Sequence, residues 1–374
     1  MKHFLFVVFE LPPLGGGVGR AASALLNQWQ HSSFKIDVIT SSLTNSYEQE
    51  RFSDNITIYK VPIGQKPPHL QQVQTPKQMF LFTFFSFKQI KMLLKHNQYE
   101  KALYFGYPSA LIGRLFRSKV PYVVSLRGVD VPGYNPKFDR FYWLYKPLSC
   151  WIWRGAKAVI ANSEWLKNLA LQTAKLPIEV IPNGVETKLF KPVAENKKFD
   201  IFAVTAGGTV MGSKKGLRYL VEGFAQFHQQ HPQTQLRLFG TGDEEESLRQ
   251  LVDKLQIKEA VKFVGQVSHD ELAQQLPRCH VFCLPSLAEG MSNAMLEAAA
   301  CGLPIIATNV GGAAELIDGN GVIIKQKSAS DIADSLVRIY NDNQLRVKMG
   351  AESREKAAQF GWEEVGREWV RVLE

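Results

Sequence analysis

The sequence predicts an α/β protein of two Rossmann-like, doubly wound domains facing one another across a cleft. Three observations predict it. Short β-branched or aromatic runs alternate with longer helical stretches along the whole chain, the rhythm of repeated β-α units around parallel sheets. That rhythm restarts after a polar, Pro-containing segment, NGVETKLFKPVAENKKF, at 183–199. A chain of 374 residues also exceeds what one hydrophobic core usually organises.

The first expected strand is HFLFVVF (3–9), an unbroken apolar run of the kind buried on both faces of a parallel sheet. Its position invites comparison with a secretion signal, but no small-residue cleavage site follows. A Gly-rich turn comes directly after it, so a buried strand is the better reading. KIDVIT (35–40), ITIYKVP (56–62), KALYFG (101–106), YVVSL (122–126), AVIAN (158–162) and EVIP (179–182) complete the first half. Helices are expected to begin near Val18, Pro76, Pro108, Pro136 and Ser163; Pro suits a first helical turn. The second half repeats the pattern with DIFAVTA (200–206), QLRLFG (235–240), VKFVG (261–265), VFCLP (281–285), PIIAT (304–308) and GVIIK (321–325). The expected domains are 1–190 and 191–360.

Composition narrows the class. Hydrophobic residues make up 45% and charged residues 21%, as in ordinary globular proteins. No apolar run reaches the ~20 residues of a membrane-spanning helix. Cys150, Cys279, Cys283 and Cys301 lack metal-ligand or redox spacing, which points to reduced thiols and a cytoplasmic setting. The net charge of +9 is uneven: residues 1–182 hold 22 Lys and Arg against 10 Asp and Glu, and the remainder holds 22 against 25. The first half therefore suits an anionic membrane or substrate, or carries a basic face for solubility alone. No recognisable nucleic-acid module accompanies the charge.

In parallel sheets of this kind ligands bind outside the carboxyl ends of the strands, and the sequence's main motifs fall there. LPPLGGGVGRAASALL follows the first strand. Its glycines, Gly16 and Gly17 among them, allow close backbone approach to a ligand at a helix start. A dinucleotide fingerprint needs an acidic residue about 20 positions on. Thr40, Ser41 and Ser42 stand at the end of the next strand instead, leaving a substrate-lining loop or a structural turn.

Lys214 and Lys215 follow the strand at 200–206 and can neutralise phosphate as point charges. Glu289 follows the strand at 281–285. Gly290 then frees the backbone, and Ser292 is placed to cap the helix SNAMLEAAACG. Such a helix start offers unpaired N–H groups to an anion. Glu297 lies just over one turn in, on a nearly apolar helix, and needs a hydrogen-bond partner. Ribose hydroxyls or a neighbouring Arg would serve. Two lysines, a helix N-terminus and two carboxylates suit a nucleotide-sugar donor. With no Asp-x-Asp motif or His/Cys cluster, neither metal nor cofactor is required.

These residues resemble the retaining family-4 glycosyltransferases of the GT-B fold, over nearly the whole chain. The signature is E-x7-E, here EGMSNAMLE with Glu289 and Glu297, continuing into AAACGLPIIATNVGG. The resemblance implies that Glu297 binds the donor ribose and that Glu289 lies beside the donor sugar. It assigns the diphosphate to the backbone of Gly290, Met291, Ser292, Asn293 and Ala294. ANSEWLKN, VIPNGVETKLFKP and LFGTGDEEESL match other family elements. FVGQVSHDEL resembles the nucleobase-side loop, which makes Gly265, Gln266 and Val267 base contacts. FGWEEVGREWV resembles a closing segment, so 361–374 is expected to pack back onto the first domain.

Two departures matter. AGGTVMGSKKG places Gly208 where the family usually has Arg, and Lys214-Lys215-Gly216 resembles the Arg-Lys-Gly of some lipopolysaccharide enzymes. Lys215 is then the phosphate ligand and Lys214 the stand-in for Arg. In SLRGVDVPGY, Arg127 replaces a common His, with Asp130 orienting it or its loop. The family implies front-face attack, in which the leaving phosphate helps deprotonate the incoming hydroxyl. The catalytic set is Glu289, Lys215 and Arg127.

The basic, aromatic stretches 76–101 and 137–157 suit a membrane interface, or helices packed on their own sheet. The expected acceptor is lipid-linked, polysaccharide or lipopolysaccharide-like, met by a protein peripheral on the inner face of the plasma membrane. Two rival functions share the architecture: a nucleotide-sugar 2-epimerase, for which no convincing proton-transfer pair stands out, and a non-catalytic nucleotide-sugar-binding protein.

Overall fold

A computed structural model of the chain describes residues 1–64, 75–106, 109–134 and 142–374. The helix starts expected near Pro108 and Pro136, and residues 137–141 of the second aromatic stretch, lie outside the described residues. The chain divides into two compact units, Met1–Pro182 with Trp362–Glu374, and Asn183–Gly361.

In the first unit the strands are β1 (His3–Val8), β2 (Lys35–Ser42), β3 (Glu48–Arg51), β4 (Ile56–Pro62), β5 (Lys101–Phe105), β6 (Tyr122–Leu126), β7 (Ala158–Ala161) and β8 (Glu179–Val180). The helices are α1 (Gly17–Trp29), α2 (Pro76–Leu93), α3 (Ser109–Phe116), α4 (Tyr142–Trp153) and α5 (Glu164–Leu171). The sheet order is β3-β4-β2-β1-β5-β6-β7-β8. Its ladders are parallel except β3 with β4, and the register sets Phe4 of β1 opposite Ile36 and Lys101. β3 was not expected. Its sequence, EQER, has no alternating apolar pattern, and it forms because β4 offers an open edge, where Lys60 pairs with Glu50 at 2.6 Å.

The second unit holds β9 (Phe202–Val210), β10 (Thr234–Thr241), β11 (Val261–Gly265), β12 (Val281–Leu284), β13 (Ile305–Thr308) and β14 (Gly321–Ile324). Its helices are α6 (Leu217–Gln230), α7 (Glu245–Lys254), α8 (His269–Gln275), α9 (Asn293–Ala300), α10 (Ala313–Leu316), α11 (Ala329–Asn341) and α12 (Asn343–Ala358). The six strands run in the order β11-β10-β9-β12-β13-β14, with all ladders parallel. The final helix, α13 (Trp362–Leu373), belongs to the first unit. Its Trp362, Val365, Trp369 and Leu373 lie in one core with Phe6, Leu25 and Phe105.

The division between units falls at Pro182/Asn183, eight residues before the expected 190. The polar segment 183–199 contributes to the core of the second unit. Val185 and Phe190 are buried with Leu296 and Leu303, Val185 bridges to Gly361, and the Arg354 guanidinium donates to the carbonyls of Thr187 and Phe190. Polar composition concealed two well-spaced apolar anchors.

Strand order locates the sites. In each unit the connections reverse direction beside the first strand: β1 lies between β2 and β5, and β9 between β10 and β12. A crevice opens outside the carboxyl ends at such a reversal.

Candidate functional site

The second unit's site grows from the ends of β9 and β12, the strands that flank its reversal. After β9 the chain makes one turn of 3-10 helix, Ser213–Lys215, and enters α6 through Gly216. Gly216 has a φ of +64°, and a Cβ there would stand 2.1 Å from the carbonyl oxygen of Pro285. Only glycine lets this turn lie against the end of β12. The Leu287 amide donates to the Lys214 carbonyl at 2.6 Å and fastens the two loops together.

The result is an ion pair between two of the expected site residues. Lys215 Nζ contacts Glu289 Oε1, and the Ser286 hydroxyl donates to the same oxygen at 3.1 Å. The side chains are 24% and 13% exposed, so the pair is partly shielded from water yet open to a ligand. Lys214 stands on the same turn, and its carbonyl is the one that accepts from Leu287.

The loop from Glu289 to Ser292 is held from two sides. Gly312 donates to the Gly290 carbonyl at 2.7 Å, and Gly311, with a φ of +59°, comes so close that a Cβ would lie 2.0 Å from that oxygen. From the other side the Asn183 side-chain amide donates to the Met291 carbonyl at 3.0 Å and to Asn293 Oδ1 at 2.8 Å. α9 then begins at Asn293. Ser292 occupies its N-cap position, but its hydroxyl makes no capping hydrogen bond, contrary to the expectation. The first amides of a helix have no intrahelical partner, so the start at Asn293 and Ala294 carries a partial positive charge.

Glu297 is buried on α9 among Met295, Leu296 and three alanines. A partner that the sequence did not suggest is His269. Glu297 Oε1 lies 3.2 Å from His269 Nε2, on the first residue of α8. Gly265, Gln266 and Val267 precede that helix at the end of β11. The second unit thus collects Lys215, Glu289, the α9 start, Glu297 and the β11–α8 loop around one sheet edge.

The first unit carries a separate group at its own strand ends. The Gly-rich loop leads from β1 into α1, but the Gly16 amide is already engaged, donating to Glu10 Oε2 at 2.8 Å. Glu10 is 6% exposed, so a buried carboxylate of the chain itself holds the loop at Gly16, just before the start of α1. After β6, Asp130 Oδ1 accepts from the amides of Arg127 and Gly128 at 2.9 and 2.8 Å and so shapes the loop. The Arg127 guanidinium lies 3.8 Å from the Phe105 ring centroid, with Trp369 beyond at 5.8 Å. Burial lowers Arg127 to about 9, opposed by Asp130, so it stays cationic at neutral pH. Burial raises the Asp130 carboxyl, against the pull of the backbone amides and Arg127.

The four cysteines are free, and burial raises the thiols of Cys279, Cys283 and Cys301, Cys279 to about 12. Those three are inert packing groups. Sequence reasoning missed Asn183, His269 and Ser286 as parts of the site. Asn183 and His269 stood inside quoted motifs, and only their place in space gives them a role.

Known proteins resemble the chain across both units. A model of glycosyltransferase family 4 matches residues 15–189, and one of glycosyl transferases group 1 matches 186–356. An uncharacterized glycosyltransferase of Methanocaldococcus jannaschii is 25% identical over 85% of this chain and 84% of its own. A GDP-mannose-dependent monoacylated alpha-(1-6)-phosphatidylinositol monomannoside mannosyltransferase of Corynebacterium glutamicum is 28% identical over 52% of this chain and 56% of its own. Among solved structures, sucrose-phosphate synthase from Thermosynechococcus elongatus superposes with a TM-score of 0.86 at 22% identity, covering 100% of this chain and 98% of that one. Anabaena HepE in complex with UDP-glucose gives 0.77 at 19%, covering 100% and 99%. The chain belongs to the family-4, group 1 glycosyltransferases: it is a glycosyltransferase of the GT-B fold.

Proposed function

We propose that this glycosyltransferase moves a sugar from a UDP- or GDP-linked donor to a hydroxyl of a lipid-linked or polysaccharide acceptor, with retention of configuration. The observation that carries the reading is the Lys215–Glu289 pair, set beside the α9 start at the reversal between β9 and β12. A bound diphosphate is a stronger anion than one carboxylate, so it draws Lys215 away from Glu289. Glu289 is then available to the hydroxyls of the donor sugar, and Glu297 takes the ribose. Gly265, Gln266 and Val267 line the base.

In the front-face step the bond from the anomeric carbon to the diphosphate oxygen breaks. The acceptor oxygen bonds to the same face and its proton passes to the leaving phosphate. Lys215, Lys214 and the amides of Ser292, Asn293 and Ala294 stabilise the departing charge, so the reading needs no resident metal. Arg127, positioned by Asp130, is assigned to a substrate phosphate or the donor sugar. The donor classes named for the Corynebacterium relative and for HepE support the choice of nucleotides.

The acceptor assignment rests on one face of the first unit. α3 packs against both α2 and α4, and the three helices carry no Asp or Glu. They expose Phe80, Phe84, Met92, Leu115, Trp143 and Trp151 beside Lys77, Lys88, Lys91 and Lys146. Apolar rings among cations suit an anionic lipid interface, and with it a lipid-linked acceptor and peripheral attachment to the inner membrane face. No described helix is long and apolar enough to cross a membrane.

The test is a thermal-shift panel of UDP, GDP, ADP and their sugars. A ligand at 100 times its Kd adds about 2.7 kcal/mol of stability, so the true nucleotide raises Tm by several degrees. No shift with any of them at millimolar concentration contradicts the proposal.

A further inference from the structure

Glu297 is a carboxylate with 8% of its side chain exposed, on a helix face otherwise made of methionine, leucine and alanine. A buried carboxylate must be held by donors, and one of them is the imidazole of His269 at 3.2 Å. A carboxylate oxygen accepts, so the contact is a hydrogen bond when Nε2 carries the imidazole proton.

His269 is itself tightly placed. A capping box fixes the start of α8: the Glu271 amide donates to the Ser268 hydroxyl at 3.2 Å and the Ser268 amide to the Glu271 carboxylate at 2.9 Å. The imidazole then stands edge-on to Phe190, with ring centroids 4.8 Å apart, and Phe190 is wholly buried. Backbone, ring and N–H are all constrained. His269 also comes two residues after Val267, so it joins the segment assigned to the base to the carboxylate assigned to the ribose.

We propose that His269 is a positioning residue for ribose recognition, holding the Glu297 carboxylate in the orientation that accepts the ribose hydroxyls. The inference rests on the donor-site reading above. A carboxylate has about four lone-pair directions, so accepting one imidazole N–H leaves capacity for ribose hydroxyls. Holding the acceptor in place beforehand removes the cost of ordering it on binding.

The test compares each nucleotide with its 2′-deoxy counterpart. UDP, GDP and ADP, and the three deoxy forms, are titrated calorimetrically into wild-type protein, Glu297→Ala, His269→Phe and His269→Gln. His269→Phe keeps a ring against Phe190 but loses the N–H; His269→Gln restores an N–H near the position of Nε2. For the tightest nucleotide the wild type should prefer ribose by about tenfold or more, the discrimination of a hydrogen bond to a charged group. Glu297→Ala should bring that preference close to unity, His269→Phe to about threefold or less, and His269→Gln should recover most of it. A purely structural role for His269 would weaken ribose and deoxyribose forms equally and leave the ratio unchanged. An unchanged ratio in His269→Phe, with the ratio lost in Glu297→Ala, overturns this inference alone. An unchanged ratio in Glu297→Ala, or no binding of any diphosphate, overturns the donor-site reading and the inference with it.

Discussion

Replacing Lys215 by Met removes the ammonium paired with Glu289 and separates two effects that the wild-type site combines. The first is stability. Removing one partner of a fully buried ion pair costs ~3–5 kcal/mol, because the other charge is stranded. Here the partners are 24% and 13% exposed and Ser286 still donates to Glu289, so about 1–2 kcal/mol is expected. For a unit the size of Asn183–Gly361 that lowers Tm by roughly 2–8 °C. The second effect is on the leaving group. A preorganised donor aimed at developing charge contributes about 10²–10³ in turnover. The assay is steady-state sugar transfer, or donor hydrolysis without acceptor, beside a thermal melt. Lys215→Met should lose at least ~10²-fold in kcat. The double variant Lys215→Met with Glu289→Gln should regain most of the lost Tm and none of the lost turnover. Turnover within tenfold of wild type, or activity regained by the double variant, refutes the assignment of Lys215 to the leaving phosphate.

Other expectations follow from single contacts. Asn183→Ala removes the bonds to Met291 and Asn293 that hold the start of α9 from one side, at a cost of ~1–3 kcal/mol. Nucleotide titration should show affinity down about tenfold, and unchanged affinity would contradict its role. His280 is lowered to about 4, mainly by burial and then by Lys198 and Arg346, and its Nδ1 accepts from the Ala203 amide at 3.1 Å. Between its ordinary 6.5 and about 4 the unfolded chain binds a proton that the folded one refuses, so stability falls as pH falls through that window. The loss is ~3 kcal/mol at most, at 1.36 kcal/mol per pKa unit. Urea midpoints from pH 6.5 to 4.5 should drop less in His280→Asn than in wild type, and equal slopes would contradict it. Finally, combining Phe80→Ser, Phe84→Ser and Trp143→Ser should cut co-flotation with anionic vesicles at low salt about tenfold without moving Tm. Wild-type flotation of that variant, or none by the wild type, contradicts the membrane face.

Much of this was legible in the sequence because the physics there is local. All thirteen strands foreseen from apolar runs are present, and the run HFLFVVF reads as a strand buried on both faces because it is one. β3 escaped because an exposed edge strand carries no burial pattern, and its formation depends on β4 rather than on its own residues. The domain boundary moved because Val185 and Phe190 are too widely spaced to register as periodic. At the site, Lys215, Glu289 and Glu297 stood out as charges at strand ends or on an apolar helix. Their partners did not. His269 lies 28 positions from Glu297 and Lys215 lies 74 from Glu289, and no local rule links residues across such distances. Glu10 was overlooked for a different reason. It adjoins the Gly-rich loop in sequence, but the loop was read as substrate-lining or as a structural turn, and neither reading calls for a carboxylate from the preceding strand end.

The central claim is that the end of β9, the end of β12 and the start of α9 hold a nucleoside diphosphate. A crystal structure with the stabilising diphosphate bound tests it most directly. The account predicts phosphate oxygens within hydrogen-bond distance of Lys215 Nζ and of the amides between Ser292 and Ala294, with the ribose hydroxyls on Glu297. A diphosphate bound elsewhere, with Lys215 still paired to Glu289 alone, would contradict it.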